Sequence, residues 1–471
     1  VTAPVGEAPE ASFTRTKVSE ALSIFAAARD AADAIGLRMG EQRFTYAELA
    51  DLTRSRLHSL EPQTRDGTPF PLTAVNSLET VVTLYALLER RVPPLLLHPR
   101  LTASERAAQV QAATRAGRIA HADAAAVIYT SGTTGHPRGA VLTRAALVAS
   151  AQASAANLGW RDDDCWLLCM SLARVGGLSI LTRSLVARRA FALVSRFDAG
   201  GLPALIDRHR ATLVSLVPTM LSLALDAHPA WAAPTHLRAI LLGGAAASAP
   251  LLQRAQQRGL PIIITYGLTE ACSQVVATPY EMRFSPTGEG AGKPLAEAQI
   301  RIVDGRIQVR GPMLMAGYLN EPALERDAWF DTGDLGEIDA RGCLHVHARV
   351  ADLIITGGEN VYPAEVERVL ESCPGVIAAA VFGVADPTWG QRVTAALVAD
   401  AASFDNTALR EYLSAHLSAS KRPRDLYFVD RLPHTAAGKI DRAALARMCR
   451  QSPVSPTAPA GFDLTASTVP R

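Results

Sequence analysis

The sequence predicts an α/β protein in which parallel and mixed sheets are covered by helices, followed by a smaller α+β unit. Three observations carry this. Short apolar runs such as Trp166-Leu167-Leu168, Ala239-Ile240-Leu241-Leu242 and Ile262-Ile263-Ile264 alternate with helical stretches, the pattern of parallel strands joined by crossover helices. Near Gln299 the period changes to two, and Gln299–Val303 and Arg306–Arg310 flank Asp304-Gly305 as a hairpin. After Arg349 the mixed pattern returns over roughly 100 residues, enough for a second domain.

Taken in order, residues 1–13 are polar and rich in Pro and Ala, and disorder is expected there. Ala21 to Leu37 is Ala-rich with helical spacing, and Thr45 and Glu48 stand in capping-box relation at the start of another helix. From Pro71 to Leu97 strand-like and helical runs alternate, and Ala211–Val217 reads as a further strand. The expected division is 14–350 and 351–450, with a disordered Pro/Ser/Thr/Ala tail at 451–471. A chain of 471 residues exceeds the roughly 250–300 at which one core stops growing.

Composition excludes several classes. The formal net charge is +2, so no overall field points to nucleic acid or to an anionic membrane surface. No apolar run reaches the ~18 residues of a spanning helix, because Ala239–Leu252 is broken by Gly243, Gly244 and Pro250. Stable membrane insertion is therefore not expected. Val1–Ser12 lacks the regions of a signal peptide. Cysteines stand at 165, 169, 272, 343, 373 and 449 without a metal-ligand pattern, and they read as reduced thiols of a cytoplasmic protein. Of 47 basic residues only Lys17, Lys293, Lys421 and Lys439 are lysines, so a persisting Lys marks a place where Arg does not substitute.

The stretch around which the chain is organised is Tyr129-Thr130-Ser131-Gly132-Thr133-Thr134-Gly135-His136-Pro137-Arg138-Gly139. It follows the apolar run Ala124–Ile128 and leads into an Ala- and Leu-rich segment from Ala140 that reads as a helix. Glycines let the backbone approach a ligand, hydroxyls and N–H groups can cradle phosphate oxygens, and Arg138 supplies charge. A Walker A loop is excluded by Gly139 and Ala140. A plain Ser/Thr/Gly-rich surface loop is the alternative.

Further along, Tyr266-Gly267-Leu268-Thr269-Glu270 follows a strand, where α/β ligand sites lie. Tyr266 can stack on a base, and Glu270 can hold a metal bound to phosphates. A helix start with an acidic first turn explains the same pentapeptide. Gly243-Gly244-Ala245-Ala246 offers a backbone that a planar ring can approach, or tight strand-to-helix packing. In Asp331-Thr332-Gly333-Asp334 the second carboxylate can accept both ribose hydroxyls, unless this is only a polar turn. Arg349 to Glu367 runs from an apolar strand through Gly357-Gly358-Glu359-Asn360 into a helix opened by Pro363. Leu432 to Ile440 is a loop ending at Lys439.

Together these motifs resemble the adenylate-forming acyl-CoA synthetase superfamily, from about Phe44 to Arg447. The resemblance implies a large N-terminal domain with a β-barrel-like subdomain and a small mobile α+β C-terminal domain. It implies an acyl-adenylate formed from an acid and Mg2+-ATP, then a thioester formed by coenzyme A. Thr130, Ser131, Gly132, Thr133, Thr134, Gly135 and Arg138 would then hold the β- and γ-phosphates. Tyr266 and Gly267 with Gly243, Gly244 and Ala245 would flank adenine, and Thr269 and Glu270 would meet the α-phosphate and Mg2+. Asp334 and Arg349 would bind ribose, and Lys439 would bridge ribose and the reacting carboxylate. Gly357, Gly358, Glu359 and Asn360 would form the thiol tunnel after the small domain turns about Ala351. The chain departs from the family's usual residues at Arg138 (usually Lys), Ala348 (usually Gly) and Ala351 (usually Asp or Lys).

Val175-Gly176-Gly177-Leu178-Ser179-Ile180-Leu181 and Thr269 to Gln274 are similar to o-succinylbenzoate–CoA ligases of menaquinone synthesis. That likeness implies Arg174, Gly177, Arg183 and Ser273 at the acid, with Arg183 pairing a second carboxylate. Both arginines as plain surface residues are the alternative. Competing functions are a ligase for another aryl or medium-chain acid, loading CoA or a carrier protein, and a non-catalytic nucleotide-binding relative. A homo-oligomer is left open.

Overall fold

The computed structural model describes residues 18, 20–61, 64–65, 67–119, 121–130, 137–285, 290–400, 404–434 and 440–451, the last three without their side chains. The stretches expected to be disordered at the two ends lie outside these residues, apart from Gln451.

The chain folds around a nine-stranded sheet. Its inner strands run parallel in the spatial order Ile262–Leu268, Ala239–Leu242, Leu213–Leu216, Cys165–Leu168, Ala190–Leu193 and Ile35–Met39. Antiparallel strands extend the edges, with Gln42–Thr45 at one and Ser273–Ala277 then Lys293–Pro294 at the other. Successive side chains of a strand point to opposite faces. Trp166, Leu168, Leu213, Leu241 and Ile263 therefore enter one core cluster, while Cys165, Leu167, Val214, Ile240 and Ile262 enter another. Helices Arg144–Leu158 and Val175–Ala187 cover the first face. Helices Leu202–His209, Pro218–Ala227 and Ala249–Gln257 cover the second.

A five-stranded sheet stands beside it in the order Gly317–Tyr318, Arg138–Thr143, Ala124–Thr130, Pro94–Leu97 and Phe70–Thr73. The expected hairpin Gln299–Val303/Arg306–Arg310 forms, with Asp304 and Gly305 both at positive φ as its two-residue turn requires. Phe330–Ile338 and Leu344–Arg349 complete a four-stranded antiparallel sheet. Beyond Arg349, strands Ile354–Thr356, Glu359–Val361, Val376–Asp386, Gly390–Ala399 and Asp425–Phe428 form a separate sheet. Helices Pro363–Glu371 and Asn406–His416 bury Val366, Leu370, Leu409 and Leu413 against it, giving that unit its own core.

Two local expectations are corrected. The segment from Ala140 does not begin a helix: Arg138–Thr143 is a strand antiparallel to Ala124–Thr130, and the helix starts at Arg144. Ala140 and Leu142 are buried between that partner and the main core, and Thr143 caps the helix by accepting from Ala146 N. Ala21–Leu37 is not one helix either. Ser23 caps a helix that ends at Asp30, and Leu37 pairs with Phe191 inside the large sheet. Sheet pairing of a wholly buried Leu37 outweighs a helix propensity worth only tenths of a kcal/mol per residue. The Thr45–Glu48 capping box is present as expected.

The large sheet is pinned at one end by a buried ion pair. Asp164 and Arg238 are 2% and 6% exposed. Arg238 Nε and Nη2 donate to the two Asp164 oxygens at 2.7 and 2.5 Å, and its remaining donors reach Leu158 O and Gly159 O. Asp164 also accepts from Thr212 Oγ1 and Arg161 N. Every prong is satisfied, so removing one partner leaves a buried charge alone. Asp164→Ala is expected to destabilise the protein by about 3–5 kcal/mol, read as a lower urea midpoint.

Candidate active site

At the carboxyl end of the strand Ile262–Leu268, where α/β ligand sites lie, Tyr266 reaches Asp334 of the four-stranded sheet and Glu270 reaches Tyr318 of the five-stranded one. Thr130 ends its strand opposite Arg138, so these two form the base of a hairpin whose tip lies outside the described residues. Ser131, Gly132, Thr133, Thr134 and Gly135 lie outside the described residues. The stretch is flanked by two antiparallel strands, and the helix begins only at Arg144. Gly243-Gly244-Ala245 follows the strand Ala239–Leu242, and Gly244 and Ala245 are exposed.

Tyr266, Asp334 and Arg349 meet directly. Tyr266 Oη donates to Asp334 Oδ2 at 2.7 Å, and Arg349 Nε reaches Asp334 Oδ1 at 2.7 Å. Asp334 and Arg349 are register partners on adjacent strands, which fixes their side chains on one face. Burial, reinforced by the neighbouring Asp334 charge, holds the Tyr266 hydroxyl well above its ordinary pKa, so it stays a donor. Gly267 lies against the next strand, where an added Cβ would stand 1.8 Å from Ser273 O.

Thr269 and Glu270 sit on the short 3-10 turn Thr269–Ala271. Cys272 and Ser273 follow at φ 53° and 113°, sparsely populated backbone for such residues. The turn is held by Met315 N donating to Glu270 O at 2.7 Å and Ser150 Oγ donating to Cys272 O at 2.9 Å. Glu270 Oε1 accepts from Tyr318 Oη at 2.8 Å. Among the described residues no group of three or more His, Cys, Asp or Glu could hold a metal ion. The single carboxylate of Glu270 fits Mg2+, which takes few protein ligands and completes its shell with phosphates and water.

Helix Val175–Ala187, which carries Gly177 and Arg183, packs with helix Arg144–Leu158 and strand Ser273–Ala277. Gly177 is required by contact, since a Cβ there would lie 2.2 Å from Ser171 O. Arg183 is 2% exposed, and neither its Nε nor its Nη2 has a partner. Its guanidinium lies 5.5 Å from the Trp166 ring centre. Burial pushes its pKa down to about 9, which still leaves it charged at neutral pH. Arg174, at the N-cap of the same helix, is half-buried with Nε unpaired. Burial and then the Arg174 charge lower the pKa of His98. Neither arginine is the solvated surface residue that the sequence left open.

In the small unit Gly357 and Gly358, both at positive φ, make the two-residue turn of a hairpin, with Glu359 and Asn360 exposed on its return strand. Gly357 N donates to Trp389 O at 2.9 Å. Ala351 is exposed on the 3-10 turn Val350–Asp352 that follows Arg349. Lys439 lies outside the described residues. The ends of its loop are placed: His434 bridges to Ile440, and His434 Nε2 stands 3.4 Å from Thr219 Oγ1 of the large unit. Tyr318 carries no local signature, and only its distant partners Arg138 and Glu270 mark it out.

A carboxylate held between a tyrosine and an arginine near the end of a parallel strand, with His434 of the small unit against the large one, suits a nucleotide-dependent ligase of the AMP-binding class. The AMP-binding enzyme family matches residues 111–319, and the AMP-binding enzyme C-terminal domain matches 365–439; the chain belongs to this family. It is 36% identical to the 2-succinylbenzoate–CoA ligase of Bacillus licheniformis over 467 residues, covering 88% of this chain and 96% of that ligase. The corresponding ligase of Bacillus mycoides is 39% identical over 343 residues, covering 70% and 71%. Among solved structures, the o-succinylbenzoate CoA synthetase of Bacillus subtilis with the acyl-adenylate OSB-AMP has a TM-score of 0.80 at 32% identity, covering 90% of this chain and 97% of that one. ATP-bound MatB from Rhodopseudomonas palustris has a TM-score of 0.82 at 25% identity, covering 92% and 99%.

Tyr266→Phe removes one hydrogen bond to a charged acceptor, worth about 1.5–3 kcal/mol. The KM for ATP is expected to rise by about tenfold or more, with the KM for the acid unchanged, in steady-state kinetics.

Proposed function

We propose that this chain is an AMP-forming 2-succinylbenzoate–CoA ligase. A carboxylate oxygen of the acid attacks the α-phosphorus of ATP and pyrophosphate leaves; the CoA thiol then displaces AMP and gives the thioester. The observation that carries the choice of acid is Arg183, a buried cation with two unpaired nitrogens on the helix lining the acid side. A charge left unpaired in a core is costly, and the second carboxylate of a diacid supplies the missing partner in bidentate form. Arg174 adds positive charge at the start of the same helix. Chains that share the 2-succinylbenzoate–CoA ligase description over most of their length support the same acid.

The residues then divide the work. Asp334, an acceptor-only carboxylate held by Tyr266 and Arg349, accepts from the ribose hydroxyls. The 130–139 hairpin and Arg138 take the terminal phosphates, and Tyr266 with Gly243–Ala245 flanks adenine. Magnesium, shared between Glu270 and phosphate oxygens, would neutralise charge on the leaving pyrophosphate. Lys439 enters from the small unit and stabilises charge developing at the reacting carboxylate. Rotation of residues 351–450 about Ala351 then exchanges that loop for Gly357–Asn360, which admits the thiol. The division at about residue 350 follows from this alternation. A cytoplasmic location fits the cysteines, since those described are all free.

ATP–pyrophosphate exchange driven by 2-succinylbenzoate, and run beside other aryl and medium-chain acids, tests the substrate. Arg183→Ala is expected to lower kcat/KM for 2-succinylbenzoate by about 10²- to 10³-fold with the KM for ATP unchanged; an unaltered kcat/KM removes Arg183 from the site. Lys439→Ala is expected to slow exchange by about 10²- to 10³-fold while supplied acyl-adenylate still reacts with CoA. Equal loss in both half-reactions would contradict the alternation of loops.

A further inference from the structure

Arg138, at the exit of the phosphate hairpin, already holds an anion. Its Nε donates to Glu321 Oε1 at 2.8 Å, and its Nη2 meets Glu321 Oε2, so both prongs of the guanidinium fork are engaged. The same guanidinium lies over the Tyr318 ring, 3.5 Å from its centre. The Tyr318 hydroxyl in turn donates to Glu270 Oε1 at 2.8 Å. Strand pairing fixes this line of groups: Gly317–Tyr318 pairs with Val141 and Ala140, and Glu321 N closes a turn onto Tyr318 O at 3.1 Å.

The Arg138 and Glu321 side chains are 36% and 39% exposed, and a pair that open to water contributes little to folding. Its geometry is nonetheless specific. A planar fork grips a carboxylate with two parallel bonds and grips phosphate oxygens in the same way, whereas an ammonium is a point charge. Arg138 is thus fitted to hold either anion, and Glu321 is the one within the chain.

We propose that Glu321 keeps the place of the terminal phosphates of ATP on Arg138, so that nucleotide binding exchanges one anion for another on a single guanidinium. During the exchange Tyr318 holds Arg138 and the Glu270 carboxylate in fixed relation, its ring under one and its hydroxyl on the other. Tyr318 and Glu321 are positioning residues for the adenylating step. A lysine at 138 would release Glu321 more readily, which gives the arginine at this position a physical purpose. The inference rests on the proposed role of the hairpin as the phosphate site.

Calorimetric titration of the full chain with ATP and magnesium, without acid, tests it. Glu321→Gln is expected to tighten ATP binding about three- to fivefold, and to have no effect in an Arg138→Ala background. Inorganic tripolyphosphate should show the same gain, since the exchange involves phosphate alone. Tyr318→Phe keeps the ring and loses the hydroxyl, so the magnesium concentration that half-saturates ATP binding should rise about threefold. Unchanged or weaker ATP binding by Glu321→Gln would overturn the exchange, as would an equal gain in the Arg138→Ala background. Arg138→Ala alone separates the two readings. If it weakens ATP binding while Glu321→Gln has no effect, the phosphate site stands and the exchange falls; if it changes nothing, the phosphate site falls too.

Discussion

The buried carboxylate of Asp334 is the point on which the site depends. It ties Tyr266 at the end of a strand of the nine-stranded sheet to Arg349 at the last residue before the turn that leads into the small unit. Thr332 supports it from below, accepting from Asp334 N and donating to Ile307 O. One side chain thus sets the distance between two sheets and the place from which the C-terminal residues depart. A charge this deep is stable only with its partners in place. Any ribose it receives is added to an arrangement already rigid.

Among the described residues, the small unit meets the large one where His347 and Tyr362 lie 5.6 Å apart between ring centres and where His434 Nε2 stands 3.4 Å from Thr219 Oγ1. The apolar cluster of the small unit is its own. The proposed alternation is compatible with polar contacts of this kind, which within a chain yield more readily than a large apolar interface. Ala351, the hinge in the proposed alternation, is followed by Asp352, whose carboxylate lies 3.8 Å from Arg442.

How much of this was legible in the sequence follows the range of each interaction. The Thr45–Glu48 cap, the Asp304-Gly305 turn and Pro363 at a helix start are local, and each was readable from residues a few positions apart. The motif residues Tyr266, Asp334 and Arg349 were readable as candidates, and the structure brings them into contact. The strand Arg138–Thr143 was misread because helix-favouring Ala and Leu are overruled by pairing with Ala124–Thr130 and with Gly317–Tyr318. Arg138 and Glu321 stand 183 residues apart, and no spacing rule joins positions so distant. Arg183 was readable as a charge on a helix, but its burial and unpaired nitrogens are properties of the packed core alone.

The two contact glycines set limits of a different kind. At Gly177 and Gly267 the obstacles are main-chain carbonyl oxygens, of Ser171 and Ser273, which cannot swing aside as a side chain does. A side chain at either position would have to displace main chain, so change in a descendant sequence is confined to the side chains that surround these two points, and the spacing of the backbone segments there is inherited unchanged.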